Sequence, residues 1–154
     1  MKYQPRLHVV LFQPEIPPNT GAIGRTCVAI AAKLWLIKPL GFQLNEKTLR
    51  RAGLDYWDHL EWETVDHWEQ LTDRLDTRFF FFSKTANKTL YSNHFREGDA
   101  LVFGSETSGL PDSLLHPEDQ SALKIPIRNS VRSLNLSCSV AIAGYEMVRQ
   151  IGFE

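Results

Sequence analysis

Several things are scarce in this sequence, and each scarcity excludes a class of protein. Its 154 residues hold only two cysteines, Cys27 and Cys138, and these form no CxxC pair. A disulfide framework is therefore excluded, and the apolar, helix-spaced surroundings of both predict reduced core thiols. Net charge is nearly absent: 17 Lys+Arg stand against 18 Asp+Glu, a formal −1. Such a chain does not coat nucleic acid through bulk electrostatics, although a local basic patch remains compatible with it. No apolar run approaches the ~18 residues of a membrane span. The start, Met1-Lys2-Tyr3-Gln4-Pro5-Arg6, lacks the apolar stretch and small-residue cleavage site of a signal peptide. A soluble, cytoplasmic protein is expected. The five histidines (His8, His59, His67, His94, His116) never pair at metal-ligand spacing. No GxSxG elbow presents a serine nucleophile. Gly104 and Gly109 have the spacing of a phosphate loop, but Leu110-Pro111 follows where Lys-Ser/Thr is needed. No GxGxxG follows the first apolar run. The sequence thus offers no metal site, no covalent nucleophile and no nucleotide loop.

What is present is an ordinary globular composition, 43% hydrophobic and 23% charged, which a disordered chain does not have. The length fits one domain over 1–154, able to bury roughly 70% of its unfolded surface without staples. Short apolar runs alternate with helical spacing. Leu7–Phe12 reads as a strand, and Pro14, Pro17 and Pro18 read as an extended loop after it. Ile23, Cys27, Ile30 and Ala31 fall on one helical face, with Asn19 placed to cap its start. Leu34–Ile37, Phe79–Phe82, Leu101–Phe103 and Leu123–Ile127 read as further strands. A short helix is expected over Glu46–Ala52, ended by Gly53, and another capped by Asp66 with Trp68, Leu71 and Leu75 on its apolar face. Leu136, Val140, Ala143, Met147 and Ile151 mark a final helix. This alternation predicts an α/β fold, a mostly parallel sheet with helices on both faces. Ligands then sit beyond the carboxyl ends of strands, which directs attention to the loops after Phe12, Phe82, Phe103 and Ile127.

Three polar clusters fall in those loops. Asn19 to Thr26 is either a capped helix start with one exposed arginine or an anion site in which Arg25 joins the free N–H groups of the helix. Gly104 to Pro111 is either a strand-to-helix connection or a backbone that approaches a ligand closely because Gly104 has no side chain. Arg128 to Ser137 is either a solvated loop with Asn135 as a cap or a polar site carrying two arginines. Charge is segregated here: Glu97 to Leu123 holds six acids and no Lys or Arg, whereas Lys124 to Arg132 holds three bases and no acid. Lys47, Arg50 and Arg51, followed by Tyr56 and Trp57, and Lys84 with Lys88, add basic groups. Bases near aromatics can hold phosphates and stack nucleobases.

Taken together and in order, these segments resemble the three motifs of the SPOUT superfamily of RNA methyltransferases, most closely its small TrmL-type tRNA (cytidine/uridine-2′-O)-methyltransferases. Pro14-Glu15-Ile16-Pro17-Pro18-Asn19-Thr20-Gly21 with Arg25 resembles the first motif. Phe103-Gly104, Glu106-Thr107 and Gly109-Leu110-Pro111 resemble the second. Ile125-Pro126 with Arg132-Ser133-Leu134-Asn135-Leu136-Ser137 resembles the third. Leu49 to Trp57 is similar to a segment typical of this branch. The resemblance implies a C-terminal trefoil knot, S-adenosyl-L-methionine bound within it, and a homodimer with active sites near the interface. It implies catalytic roles for Arg25, Asn19, Asn135, Ser133 and Glu106. Cofactor contacts would come from Phe82, Gly104, Ile125, Ser133 and Leu134. Arg50, Arg51, Lys84, Arg128 and Arg132 are the residues expected to face RNA. The expected reaction is methyl transfer to the ribose 2′-hydroxyl of a tRNA nucleotide, the wobble cytidine or uridine, without a metal. Ribose methylation of rRNA and a non-catalytic RNA-binding module are the alternatives.

Overall fold

The computed structural model describes residues 2–45, 47 and 56–153. Seven parallel strands form one sheet: β1 (Leu7–Phe12), β2 (Ala32–Ile37), β3 (Trp62–Val65), β4 (Phe79–Phe82), β5 (Lys88–Thr89), β6 (Ala100–Phe103) and β7 (Ala122–Lys124). Their order across the sheet is β3-β2-β1-β6-β4-β7-β5. Among the described residues, three helices pack on it: α1 (Pro17–Ile30), α2 (Trp68–Arg74) and α3 (Leu136–Ile151).

Alternation along each strand divides the core in two. Leu7, Val9 and Leu11 of β1 face the layer containing Ile23, Cys27 and Ile30 of α1 and Val140, Ala143 and Met147 of α3. Val10, Trp35 and Ile37 face the opposite layer, built around Leu71 of α2 with Trp68 beside it. Helices therefore cover both faces, as the strand-helix alternation predicts. The phenylalanine strand serves both layers. Phe80 and Phe82 are buried on the α1/α3 side, while the half-buried Phe79 and Phe81 lie 5.1 and 5.6 Å from the Trp68 ring.

Local rules and the observed element ends differ in instructive ways. Pro17 and Pro18 are the first two residues of α1 rather than part of an extended loop. Proline is well suited to a first helical turn, where its missing N–H has no partner to lose. The N-cap is Ile16, without a side-chain cap bond, so Asn19 sits inside the first turn and does not cap α1. In α2 the cap is His67, not Asp66: the His67 imidazole accepts from the Gln70 amide, and the Gln70 side chain accepts from the Asp66 amide. The last strand ends at Lys124, since Pro126 cannot donate to a ladder. Asn135 does cap α3, its side-chain oxygen accepting from Ser137 and Cys138. Cys27 is buried, and burial pushes its thiol pKa up, but Cys138 is exposed and is not a core thiol. The helix expected over Glu46–Ala52 lies outside the described residues, apart from the exposed Lys47.

One half-buried polar contact makes stability depend on pH. The Trp35 indole donates to Nδ1 of His8 at 3.1 Å. Burial first, and the Lys33 charge second, lower the His8 pKa from 6.5 to about 4. The unfolded chain therefore binds this proton more readily than the folded one. The contribution is whole above pH 6.5 and is lost as pH falls towards 4. Allowing for partial exposure, about 2 kcal/mol should disappear across that window. Urea midpoints measured from pH 7 to pH 4 should fall more steeply for the native chain than for His8→Gln, which carries no titratable ring.

Candidate active site at the carboxyl edge of the sheet

β1, β6, β4 and β7 are neighbours, so the loops leaving their carboxyl ends lie side by side. Phe103 of β6 pairs with Leu11 of β1 and Phe82 of β4, and Phe82 pairs with Leu123 of β7. The Phe82 and Phe103 rings stack with centroids 4.7 Å apart. Together they form an apolar floor beneath the loop cluster.

A polar chain ties three of these loops together. The Glu106 carboxylate accepts from the Glu15 and Ile16 backbone amides at 2.9 and 2.8 Å, and from the Asn19 side chain at 3.1 Å. Asn135 donates its amide to the Asn19 carbonyl oxygen, also at 3.1 Å. The Asn135 oxygen then accepts from the amide and hydroxyl of Ser137. The direction of the chain follows from the carboxylate, which is acceptor-only. Glu106 demands the NH₂ end of Asn19, which leaves the Asn19 oxygen for the NH₂ of Asn135. That in turn turns the Asn135 oxygen to the first amides of α3. One ionised group thus fixes the orientation of two amides contributed by segments more than a hundred residues apart.

A second clasp runs the opposite way between the same loops. The Glu15 carboxylate accepts from the Thr107 amide at 3.2 Å and its hydroxyl at 2.6 Å. These bonds from Thr107 hold the Glu15 pKa below the usual carboxylate range. No sequence spacing pairs positions 15 and 107, so this role of Glu15 has no sequence signal; only the parallel neighbours β1 and β6 bring the two together.

Gly104 has a different use from the one its sequence position suggests. A Cβ placed there would lie 2.0 Å from the Gly109 carbonyl carbon and 2.2 Å from the Leu110 nitrogen. The backbone that comes close is the chain's own. It is held by the Ser105–Gly109 bridge, in which the Gly109 amide donates to Ser105 at 3.0 Å. Gly109 itself has φ of +66°, a left-handed conformation favourable to glycine. Gly104→Ala should cost more than about 3 kcal/mol because backbone, not a flexible side-chain tip, must move. A urea midpoint close to that of the native chain would contradict this.

The remaining expected residues divide into groups. Arg25 is exposed on α1 and lies outside the Glu106–Asn19–Asn135 chain. Its guanidinium carbon stands 5.0 Å above the centre of the Tyr56 ring. Ser133 is exposed and also lies outside that chain; Asn135 bonds Asn19 and Ser137 instead. Lys84 reaches the third-motif loop, donating to the Arg132 carbonyl at 3.3 Å, and Arg128 and Arg132 are exposed on that loop. Arg50 and Arg51 lie outside the described residues. Ile125 and Leu134 are half-buried, with Ile125 packed on the α1/α3-side core. Apolar side chains next to backbone-rich loops at the edge of a parallel sheet suit a nucleoside-bearing cofactor. The space a side chain at Gly104 would take is filled by Gly109 and Leu110, so only its backbone groups could take part in such a cradle. Among the described residues, no group of three or more His, Cys, Asp or Glu is placed to hold a metal ion, and no helix is long and apolar enough to cross a membrane.

Comparison with known proteins agrees with this geometry. The tRNA (cytidine(34)-2′-O)-methyltransferase of Methylovorus glucosotrophus (strain SIP3-4) is 44% identical over 149 residues, covering 94% of this chain and 96% of its own. A solved structure described as giving insights into the 2-OH methylation of C/U34 on tRNA superposes with a TM-score of 0.87 at 45% identity, covering 96% and 97% of the two chains. The SpoU methyltransferase AviRb from Streptomyces viridochromogenes, in complex with the cofactor AdoMet, shares the fold at a TM-score of 0.81 and 22% identity, covering 97% of this chain and 59% of its own. The model of the SpoU rRNA Methylase family matches residues 6–145. With that match over most of its length, the chain belongs to the SpoU rRNA methylase family.

Proposed function

We propose that the protein transfers the methyl group of S-adenosyl-L-methionine to the ribose 2′-hydroxyl of nucleotide 34 of tRNA, a cytidine or uridine at the wobble position. The observation that carries this reading is the Glu106–Asn19–Asn135 chain, which joins all three motif loops at the sheet edge. The relatives named for this reaction at 44% identity over nearly the whole chain support it.

The bound cofactor would supply an electrophilic methyl on a sulfonium. Backbone groups at Phe82, Gly104, Ile125, Ser133 and Leu134 would hold it. The protein's own task is to align the 2′-hydroxyl with that methyl and to stabilise the charge that develops on the oxygen. Arg25 suits this task, or that of holding the adjacent phosphate with two N–H groups. It is not a general base, since a guanidinium stays protonated. Lys84, Arg128 and Arg132, with Arg50 and Arg51, would face the RNA backbone. One domain over 1–154 carries the site, with a trefoil knot in its C-terminal part. It acts as a cytoplasmic homodimer whose two subunits pool basic patches that a net charge of −1 conceals.

Incubation with tRNA and methyl-labelled cofactor, followed by nuclease digestion, should yield labelled 2′-O-methyl nucleosides. No transfer to any tRNA would overturn the reading. The family's rRNA description favours a second substrate class, and transfer to rRNA alone would decide for it. Calorimetry with S-adenosylhomocysteine separates both from a non-catalytic module, which would be blind to the product.

A further inference from the structure

The segment 13–16, between β1 and α1, is held from three sides. Glu106 accepts the Glu15 and Ile16 amides, and Thr107 donates its amide and hydroxyl to the Glu15 carboxylate. The third hold comes from the loop after β2, which belongs to none of the three motif segments. There the Gly41 amide donates to the Pro14 carbonyl at 2.9 Å. Gly41 also lies against Glu15. An added Cβ would stand 2.7 Å from the Glu15 Cα, 3.0 Å from its carbonyl oxygen and 3.2 Å from its Cβ. Gly41 is exposed and its φ is not positive, so neither core packing nor backbone conformation calls for glycine there. The close approach to Glu15 does. The held segment is not relaxed. Gln13 has φ of +51°, a left-handed conformation that costs energy for a residue with a side chain. Such a residue persists where its surroundings over-determine it. Here its amide is bonded to the Ile37 carbonyl at 2.9 Å, just ahead of the three holds.

This geometry gives Gly41 a place in the chain that orders the site. The Glu15 and Ile16 amides fasten the Glu106 carboxylate, and that carboxylate in turn accepts from Asn19. A side chain at position 41 would drive the Glu15 backbone back by roughly 0.7 Å before ordinary contact is restored. Displacements of that size are enough to spoil the alignment of reacting groups. We propose that Gly41 is a positioning residue for methyl transfer: the loop after β2 bears on the backbone of Glu15 and, through it, holds the Glu106 carboxylate in register with Asn19. Gly41 acts through Glu15 and need touch neither substrate nor cofactor. This inference rests on the role given to the Glu106–Asn19–Asn135 chain in the proposed function.

The test compares the native chain, Gly41→Ala, Glu106→Ala and the double variant in methyl transfer to tRNA. Gly41→Ala alone should lower kcat about 10-fold, while KM for tRNA and affinity for S-adenosylhomocysteine stay within about three-fold of native. Added to Glu106→Ala, it should lower kcat by no more than about two-fold, because the carboxylate through which it acts is gone. Effects that multiply in the double variant overturn the proposal, as does a native kcat in Gly41→Ala. The Ile16 amide reports the clasp without reference to catalysis. In isoleucine-labelled protein its resonance is identified by its absence in Ile16→Val, and in Gly41→Ala it should move towards its position in Glu106→Ala. Gln13→Gly, which relieves the strain at φ +51°, supplies a stabilised background in which the comparison is repeated. Gly41→Ala should stay about 10-fold slow there. Recovery of the native kcat in that background would show that Gly41 serves stability alone, and overturns the proposal. An unmoved Ile16 resonance removes the role of Gly41 only, whereas a moved resonance with native kcat removes the chain on which the proposal rests.

Discussion

Replacing Arg25 with alanine should lower methyl transfer by about 100- to 1000-fold, the scale seen when a donor aimed at developing charge is removed from an active site. Affinity for S-adenosylhomocysteine should change by no more than about three-fold. The separation follows from where Arg25 stands. It lies on α1, exposed, with its guanidinium over Tyr56, whereas the residues expected to cradle the cofactor leave β4, β6 and β7. Its six-residue separation from Asn19 corresponds to about 9 Å along the helix axis. Arg25→Lys should recover only part of the activity, because a point charge on a flexible stem reproduces neither the two-pronged donation nor the stacking. Calorimetry alongside single-turnover transfer checks the prediction. A large loss of product binding in Arg25→Ala would put the residue in the cofactor site instead.

Removing Glu106 should have a comparable effect for a different reason. Its carboxylate accepts two backbone amides from the loop after β1 and the amide of Asn19. Glu106→Ala leaves those donors to water and frees both Asn19 and Asn135 to flip. The expected stability loss is about 2 kcal/mol for a half-exposed, charge-assisted cluster. Transfer should fall about 100-fold beyond what that loss explains, because a site loosened by an ångström loses alignment. Glu106→Gln discriminates further. It keeps one acceptor oxygen but turns an NH₂ towards a donor, so it should resemble alanine in activity more than in stability. Equal and small effects of both substitutions on transfer would show that the clasp is dispensable. Glu15→Gln should be milder, since its partners are one amide and one hydroxyl of Thr107.

Much of this arrangement was legible in the sequence. The apolar runs marked five of the seven strands, four of them within a residue or two and the last overrun by three residues, and the parallel sheet followed from alternation with helices. The two strands that were missed, β3 and β5, carry no buried run: Trp62, Glu63 and Thr64 are half-buried at one edge, and Lys88 and Thr89 form a two-residue strand at the other. Motif order identified Asn19, Glu106 and Asn135, which the fold joins in one chain. Propensity misplaced the caps of α1 and α2, because Ile16, ahead of a tolerated proline pair, and His67 stand at the caps expected of Asn19 and Asp66. At Gly104 the sequence suggested a close approach to a ligand, but spacing could not say that the chain's own Gly109 and Leu110 fill the space beside it. The contacts of Glu15 and Tyr56 were invisible because each meets a residue distant in sequence, position 107 and position 25. Only strand order and helix packing make those pairs neighbours.

The central claim is that this loop cluster directs a methyl group to one ribose oxygen. Nucleotide-resolution mass spectrometry of an unmodified tRNA transcript pool, after incubation with the protein and S-adenosyl-L-methionine, tests it most directly. The predicted result is one added methyl, on the ribose of nucleotide 34, which appears with the native chain and not with Arg25→Ala. A methyl on a base, or on the ribose of a different nucleotide, would contradict it.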